Sequence, residues 1–119
     1  LDAVFLVQTP PSVVTLINDG AGNLVVGDTV PVPDGFKPFT LDIADLVGDD
    51  NLDVAVVDDS SAFVTVWTGK GGALDTMPTQ TPLPSPAVRV VAGKIDGDDK
   101  DDLALATFAV GTVTVILSP

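Results

Sequence analysis

Asp45-Leu-Val-Gly-Asp-Asp-Asn-Leu-Asp53 is an acidic loop that runs straight into the apolar stretch Val54-Ala-Val-Val57, and this pairing of loop and strand decides how the chain is read. It occurs again as Lys94-Ile-Asp-Gly-Asp-Asp-Lys-Asp-Asp102, which has the same length, a glycine at the same place (Gly48, Gly97), and Leu103-Ala-Leu-Ala106 behind it. The opening Leu1-Asp2-Ala-Val-Phe-Leu-Val7 reads as the last step of a third such loop with its strand. Asp2, Asp53 and Asp102 are then equivalent positions, 51 and 49 residues apart.

A period of roughly 50 residues with strand-type content points to a repeat array, and β-propeller blades have this size. The composition agrees. All 17 acidic residues are Asp, with no Glu, and Asp favours turns and caps where Glu favours helices. Val and Thr runs, 11 Gly and 10 Pro fit strands and loops, and almost no helix is expected. At 119 residues and 45% hydrophobic content the chain can bury a core in spite of its net charge of -12.

Four Lys and one Arg leave no basic surface for phosphates, which argues against nucleic acid and against anionic membranes. No apolar run reaches the ~20 residues of a membrane span, and no signal peptide is present, as expected of a mature or excised segment. The absence of Cys leaves the redox compartment open.

In chain order, residues 2–8 form a strand ended by Pro10-Pro11, residues 12–17 a second, and Asn18-Asp-Gly-Ala-Gly22 a turn in which glycines supply positive φ. Residues 23–32 make a poorer strand running into Pro31 and Pro33, which suits an outer edge. The next unit has an innermost strand over 37–44, the acidic loop, a strand over 54–58, the polar turn Asp58-Asp-Ser-Ser61, and a strand over 62–68. There Val64-Thr-Val66 matches Val14-Thr-Leu16 and Trp67 takes the place of Ile17. Gly69-Lys-Gly-Gly72 matches the earlier glycine turn, and a proline-rich rim strand runs to Pro86. Residues 87–93, the second acidic loop, 102–107 and 112–117 complete the chain, with Val113-Thr-Val115 and Ile116 again in register. With four strands to a unit, called a to d, the chain divides into an incomplete b-c-d unit (1–36), a complete unit (37–86) and an incomplete a-b-c unit (87–119).

At the acidic loops followed by Leu52-Asp-Val-Ala-Val-Val57, and at Val14-Thr-Leu-Ile-Asn-Asp-Gly-Ala-Gly-Asn-Leu24, the sequence resembles the FG-GAP/VCBS repeat family, the blades of integrin α-chain propellers and of many secreted proteins, including some lectins. The resemblance covers nearly the whole chain. It implies four-stranded antiparallel blades and a calcium ion in the a–b loop, held by carboxylates at the loop's first, third, fifth and ninth positions and by a carbonyl at the seventh. Carried over, the first loop keeps Asp45, Asp49 and Asp53, with the Asn51 carbonyl and with Val47 at the third position. The second keeps Asp96, Asp98 and Asp102, with the Lys100 carbonyl and with Lys94 at the first. Each loop thus lacks one ligand, and Asp50 and Asp99 stand where the family has Gly, a substitution that Asp tolerates because it visits the left-handed region more easily than most residues.

The residues argue for a metal in their own right. Three carboxylates within one nine-residue turn repel one another unless a cation sits among them. Calcium takes 6–8 oxygens in loose geometry, whereas magnesium demands an octahedron. The plain alternative is a pair of solvated Asp/Gly turns, with the Lys94 ammonium in the ion's place in the second.

Trp67 is expected to be a packed residue between units, the alternative being a sugar-stacking platform. Asp58 and Asp59 belong to a polar turn, and Arg89, the only arginine, is expected in an ion pair. Without His, Cys, Tyr or Glu the usual general bases and nucleophiles are missing, so no enzyme is expected. The expected function is a calcium-stabilised extracellular module for structure, adhesion or recognition, with a lectin-like module as the alternative. Open strand edges at both ends call for further blades of a longer chain or for other copies of itself, two of which would make a six-bladed ring. A protein or glycan ligand is the remaining class of partner.

Overall fold

The computed structural model describes residues 2–119, and no helix forms among them. Twelve strands follow in order: β1 (Ala3–Gln8), β2 (Pro11–Asn18), β3 (Leu24–Pro31), β4 (Thr40–Ala44), β5 (Asp53–Val57), β6 (Phe63–Trp67), β7 (Gly69–Lys70), β8 (Ala73–Leu74), β9 (Thr79–Pro82), β10 (Arg89–Gly93), β11 (Asp102–Thr107) and β12 (Thr112–Ile116). They build three successive antiparallel sheets, β1-β2-β3, β4-β5-β6-β9 and β10-β11-β12, with β7 and β8 as a small separate ribbon. The glycine turn at 69–72 is therefore a hairpin of its own, with Gly71 and Gly72 at φ 59° and 87°. The rim strand that follows it is short, and β4 begins three residues later than the apolar pattern suggests.

Every sheet repeats one register. Ala3 lies opposite Leu16, Val54 opposite Trp67, and Leu103 opposite Ile116. Counted from Asp2, Asp53 and Asp102, these partners stand at identical distances along the chain. The counterpart of Trp67 in the first sheet is thus Leu16, not Ile17, and the match of Val14-Thr-Leu16 with Val64-Thr-Val66 is one residue out. Side chains on a strand alternate between faces, so a slip of one would turn each of them over.

The faces explain why the slip is easy to make. All five residues of β5 are buried, since a sheet packs on either side of it. Such a strand has no polar face to mark its register. Val54, Val56 and Trp67 pack with Val13, Val30, Phe36 and Leu74 toward the first sheet. Ala55, Val57 and Val64 pack with Leu103, Leu105 and Val90 toward the third. Burying each Val fully contributes about 1.5–3 kcal/mol at most, so these two seams hold the sheets together. Arg89 is exposed and makes no ion pair among the described residues, contrary to expectation, because its strand face looks away from the second sheet.

Candidate metal centre in the acidic loops

The loop at 45–53 joins β4 to β5, and the loop at 94–102 joins β10 to β11. Gly48 and Gly97 take φ 75° and 89°, which turns the chain back after three residues in each. Asp50 follows at φ 64°, but Asp99 does not enter the left-handed region, so the second loop needs only its glycine there.

The ninth-position carboxylates do the same work in both loops. Asp53 Oδ2 accepts the amide of Leu46 at 2.8 Å and Oδ1 accepts the amide of Gly69 at 2.8 Å. Asp102 Oδ2 accepts Ile95 at 2.9 Å and Asp96 at 3.3 Å, while Oδ1 accepts Ser118 at 2.9 Å. Asp2 Oδ2 accepts the amide of Asn18 at 2.7 Å. In all three sheets the bond spans 16 residues. Each Asp thereby ties the start of one strand to the end of the next. The chain passes so close to Gly69 that a Cβ there would lie 2.2 Å from the Leu52 carbonyl oxygen.

Asp53 and Asp102 are both wholly buried, yet their carboxyls shift in opposite directions. Burial pushes Asp53 above the usual range, more strongly than the amides of Gly69, Leu46 and Val47 lower it, and the negative Asp49 adds to the rise. For Asp102 the amides of Ser118 and Ile95 prevail over burial, and the carboxyl lies below the usual range.

At the first position, Asp45 Oδ1 accepts Gly48 at 2.7 Å and Asp49 at 3.1 Å, and Oδ2 accepts Asp50 at 3.0 Å. Desolvation raises this carboxyl, but the three amides together with the Lys94 charge leave it below the usual range. Lys94, at the first position of the other loop, pairs with Asp99 at 3.8 Å. At the fifth position Asp49 accepts the Asn51 amide at 3.0 Å, and Asp98 likewise accepts Lys100 at 2.9 Å. Asp96 Oδ1 accepts Asp98 at 3.1 Å. Among the described residues no three acidic side chains converge on one point. Asn51 is instead bound through its side chain, which accepts the Gly71 amide at 3.2 Å and donates to the Asp49 carbonyl at 3.3 Å. Lys100 lays its stem along Gly48 and donates from Nζ to the Pro119 carbonyl.

Comparison with family models, with curated proteins and with solved structures finds no match for this chain. The site therefore rests on its own geometry.

Trp67 is completely buried in the seam between the first two sheets and offers no ring face to a sugar. Asp58, expected in a polar turn, is buried and holds that turn: it accepts the amides of Lys37 and Ser60, each at 2.7 Å, and both serine hydroxyls. Three further carboxylates that sequence reasoning passed over tie one sheet or its loop to the next. Asp28 accepts Leu74 at 2.9 Å, Asp42 accepts Ala92 at 2.8 Å, and Asp101 accepts Asp45 at 3.1 Å. The one available signal was Asp28 and Asp42 themselves, carboxylates inside otherwise apolar strand patterns.

Proposed function

We propose that this chain is a non-catalytic run of β-propeller-type repeats of the FG-GAP/VCBS kind, serving outside the cell as a structural or recognition module stiffened by calcium. The observation that carries the reading is the carboxylate tie at Asp2, Asp53 and Asp102, made three times over the same 16 residues. It supports reading the three sheets as copies of one unit. The clustered acids that could have supported hydrolytic chemistry are taken up by loop amides, which supports a structural over a catalytic role.

Calcium suits the donor set at 45–53, which is all oxygen and lies within one nine-residue turn. Asp49 already bears on Asp53 as an unfavourable like charge, and a divalent cation between them would remove that cost. Asp45, Asp49, Asp53 and the Asn51 carbonyl would hold the ion, which supplies charge neutralisation and no chemistry. At 94–102 the residues fit less well, because Lys94 replaces the first carboxylate; Asp96, Asp98, Asp102 and the Lys100 carbonyl remain.

The test is a thermal melt in calcium, in magnesium and in EDTA, with Asp49→Ala and Asp98→Ala beside the wild type. A rise of several degrees in calcium, reversed by EDTA and lost in Asp49→Ala, is expected. A melt indifferent to all three conditions would remove calcium from the reading and leave plain turns.

A further inference from the structure

The two seams inside the chain are built alike. In each, the later sheet presents the residues one and three places after its tying Asp, together with the residue opposite the first of these: Val54, Val56 and Trp67, then Leu103, Leu105 and Ile116. The earlier sheet presents the alternate set. Val4, Leu6 and Val13 serve the first seam, and Ala55, Val57 and Val64 the second. The same register leaves one set unused at each end. On the first sheet it is Ala3, Phe5 and Leu16 around the already buried Val14, with Phe5 42% exposed. On the third it is Ala104, Ala106, Val113 and Val115, flanked by Val91, with Val113 67% exposed. These are the two complementary halves of a third seam.

We propose that a second copy of this chain completes that seam, the first sheet of one copy packing head to tail on the third sheet of the other. The inference rests on the reading of the three sheets as equivalent repeats, and it is independent of calcium. Continuity with the internal seams fixes both the faces and their order, and the contact is heterologous, so it closes a ring of two or runs on as an open chain. Of the strand residues on the two faces only Arg89 and the fully tied Asp102 are ionisable, so no unpaired strand carboxylate would be buried by docking. The net charge of -12 on each copy opposes the approach at low salt, and screening relieves it.

The test is sedimentation and light scattering of the 119-residue chain, with Phe5→Asp and Val115→Asp as variants. The wild type is expected at twice 12.1 kDa or a higher multiple, more firmly as salt is raised. Each variant alone should be monomeric, and an equimolar mixture of the two should recover a pair, since each retains the half that the other has lost. Because the chain has no Cys, Phe5→Cys mixed with Val115→Cys gives a second reading that does not depend on a buried charge: a disulfide forms between the two and not within either alone. A wild type that stays monomeric to about 100 µM overturns the proposal and assigns the faces to further sheets of a longer polypeptide. So does a Phe5→Asp variant that still pairs with itself, which would mean a symmetric contact. Loss of the calcium response with assembly intact would strike the metal reading alone.

Discussion

The amide of Asp101 donates to the carbonyl of Asp45 at 3.0 Å while the amide of Asp45 donates to the Asp101 carboxylate at 3.1 Å. The two acidic loops are thereby clasped, and the Lys100 stem covers Gly48 beside them. Asp101→Ala removes one of the two bonds and leaves the backbone one. A loss of about 1 kcal/mol is expected, as for one hydrogen bond. Urea unfolding measures it; an unchanged midpoint would show that the clasp contributes nothing to stability.

The three tying carboxylates should differ in worth according to burial. Asp53→Ala strands two buried amides, at about 1–3 kcal/mol for each group left unsatisfied, and Asp102→Ala, whose amide partners are only part-buried, should cost less. Asp2 is exposed, so water replaces its carboxylate in Asp2→Ala and the loss should be smaller. Equal losses at all three positions would contradict the ranking.

Acid should act on this chain in two opposed ways. Asp19, Asp45, Asp58 and Asp102 lie below their usual 3.8 when folded, so their stabilisation is present above 3.8 and is lost as pH falls through their folded values. Asp53 lies above 3.8 when folded, binds its proton more readily in that state, and so gives added stability as pH falls through its folded value toward 3.8. The melting temperature of the wild type should therefore rise relative to that of Asp53→Asn on acidification toward 3.8, and both should fall below it. A constant gap between them across that range would mean that Asp53 is not perturbed upward.

Trp67 is the only tryptophan and the chain has no Tyr, so its fluorescence reports a single site. A blue-shifted emission, weakly quenched by acrylamide and unmoved by simple sugars, is expected of a ring with no exposure. Trp67→Ala should cost about 3–5 kcal/mol through the cavity left in the seam. Sugar-dependent quenching would reopen the stacking role.

What could be read from the sequence was whatever a local pattern had to encode. Loop length, Gly48 and Gly97, and the recurrence of Asp before an apolar strand were legible because a tight turn admits few residues. The register of the first sheet was not, because Val13 to Ile17 is apolar on both sides of Thr15 and gives no alternation against which to place it. Nor was the clasp of Asp101 on Asp45, which joins positions 56 apart by one backbone bond and one carboxylate that looks like its many Asp neighbours in sequence. Asp50 and Asp99 look alike in sequence, but only Asp50 takes positive φ. The exposure of Arg89 follows from which face of β10 meets the second sheet, and composition carries no trace of that.

Because every tie between a strand and its successor closes over only 16 residues, each sheet holds the means of its own alignment within a short window of chain. The loops to be closed while such a sheet forms are small, and their entropic cost grows only slowly with length. Each sheet is built from one continuous stretch of chain, so a nascent polypeptide can complete one sheet before the next has been synthesised. Duplication of such a stretch copies the means of alignment along with the strands, which gives a simple route by which an array of this kind lengthens.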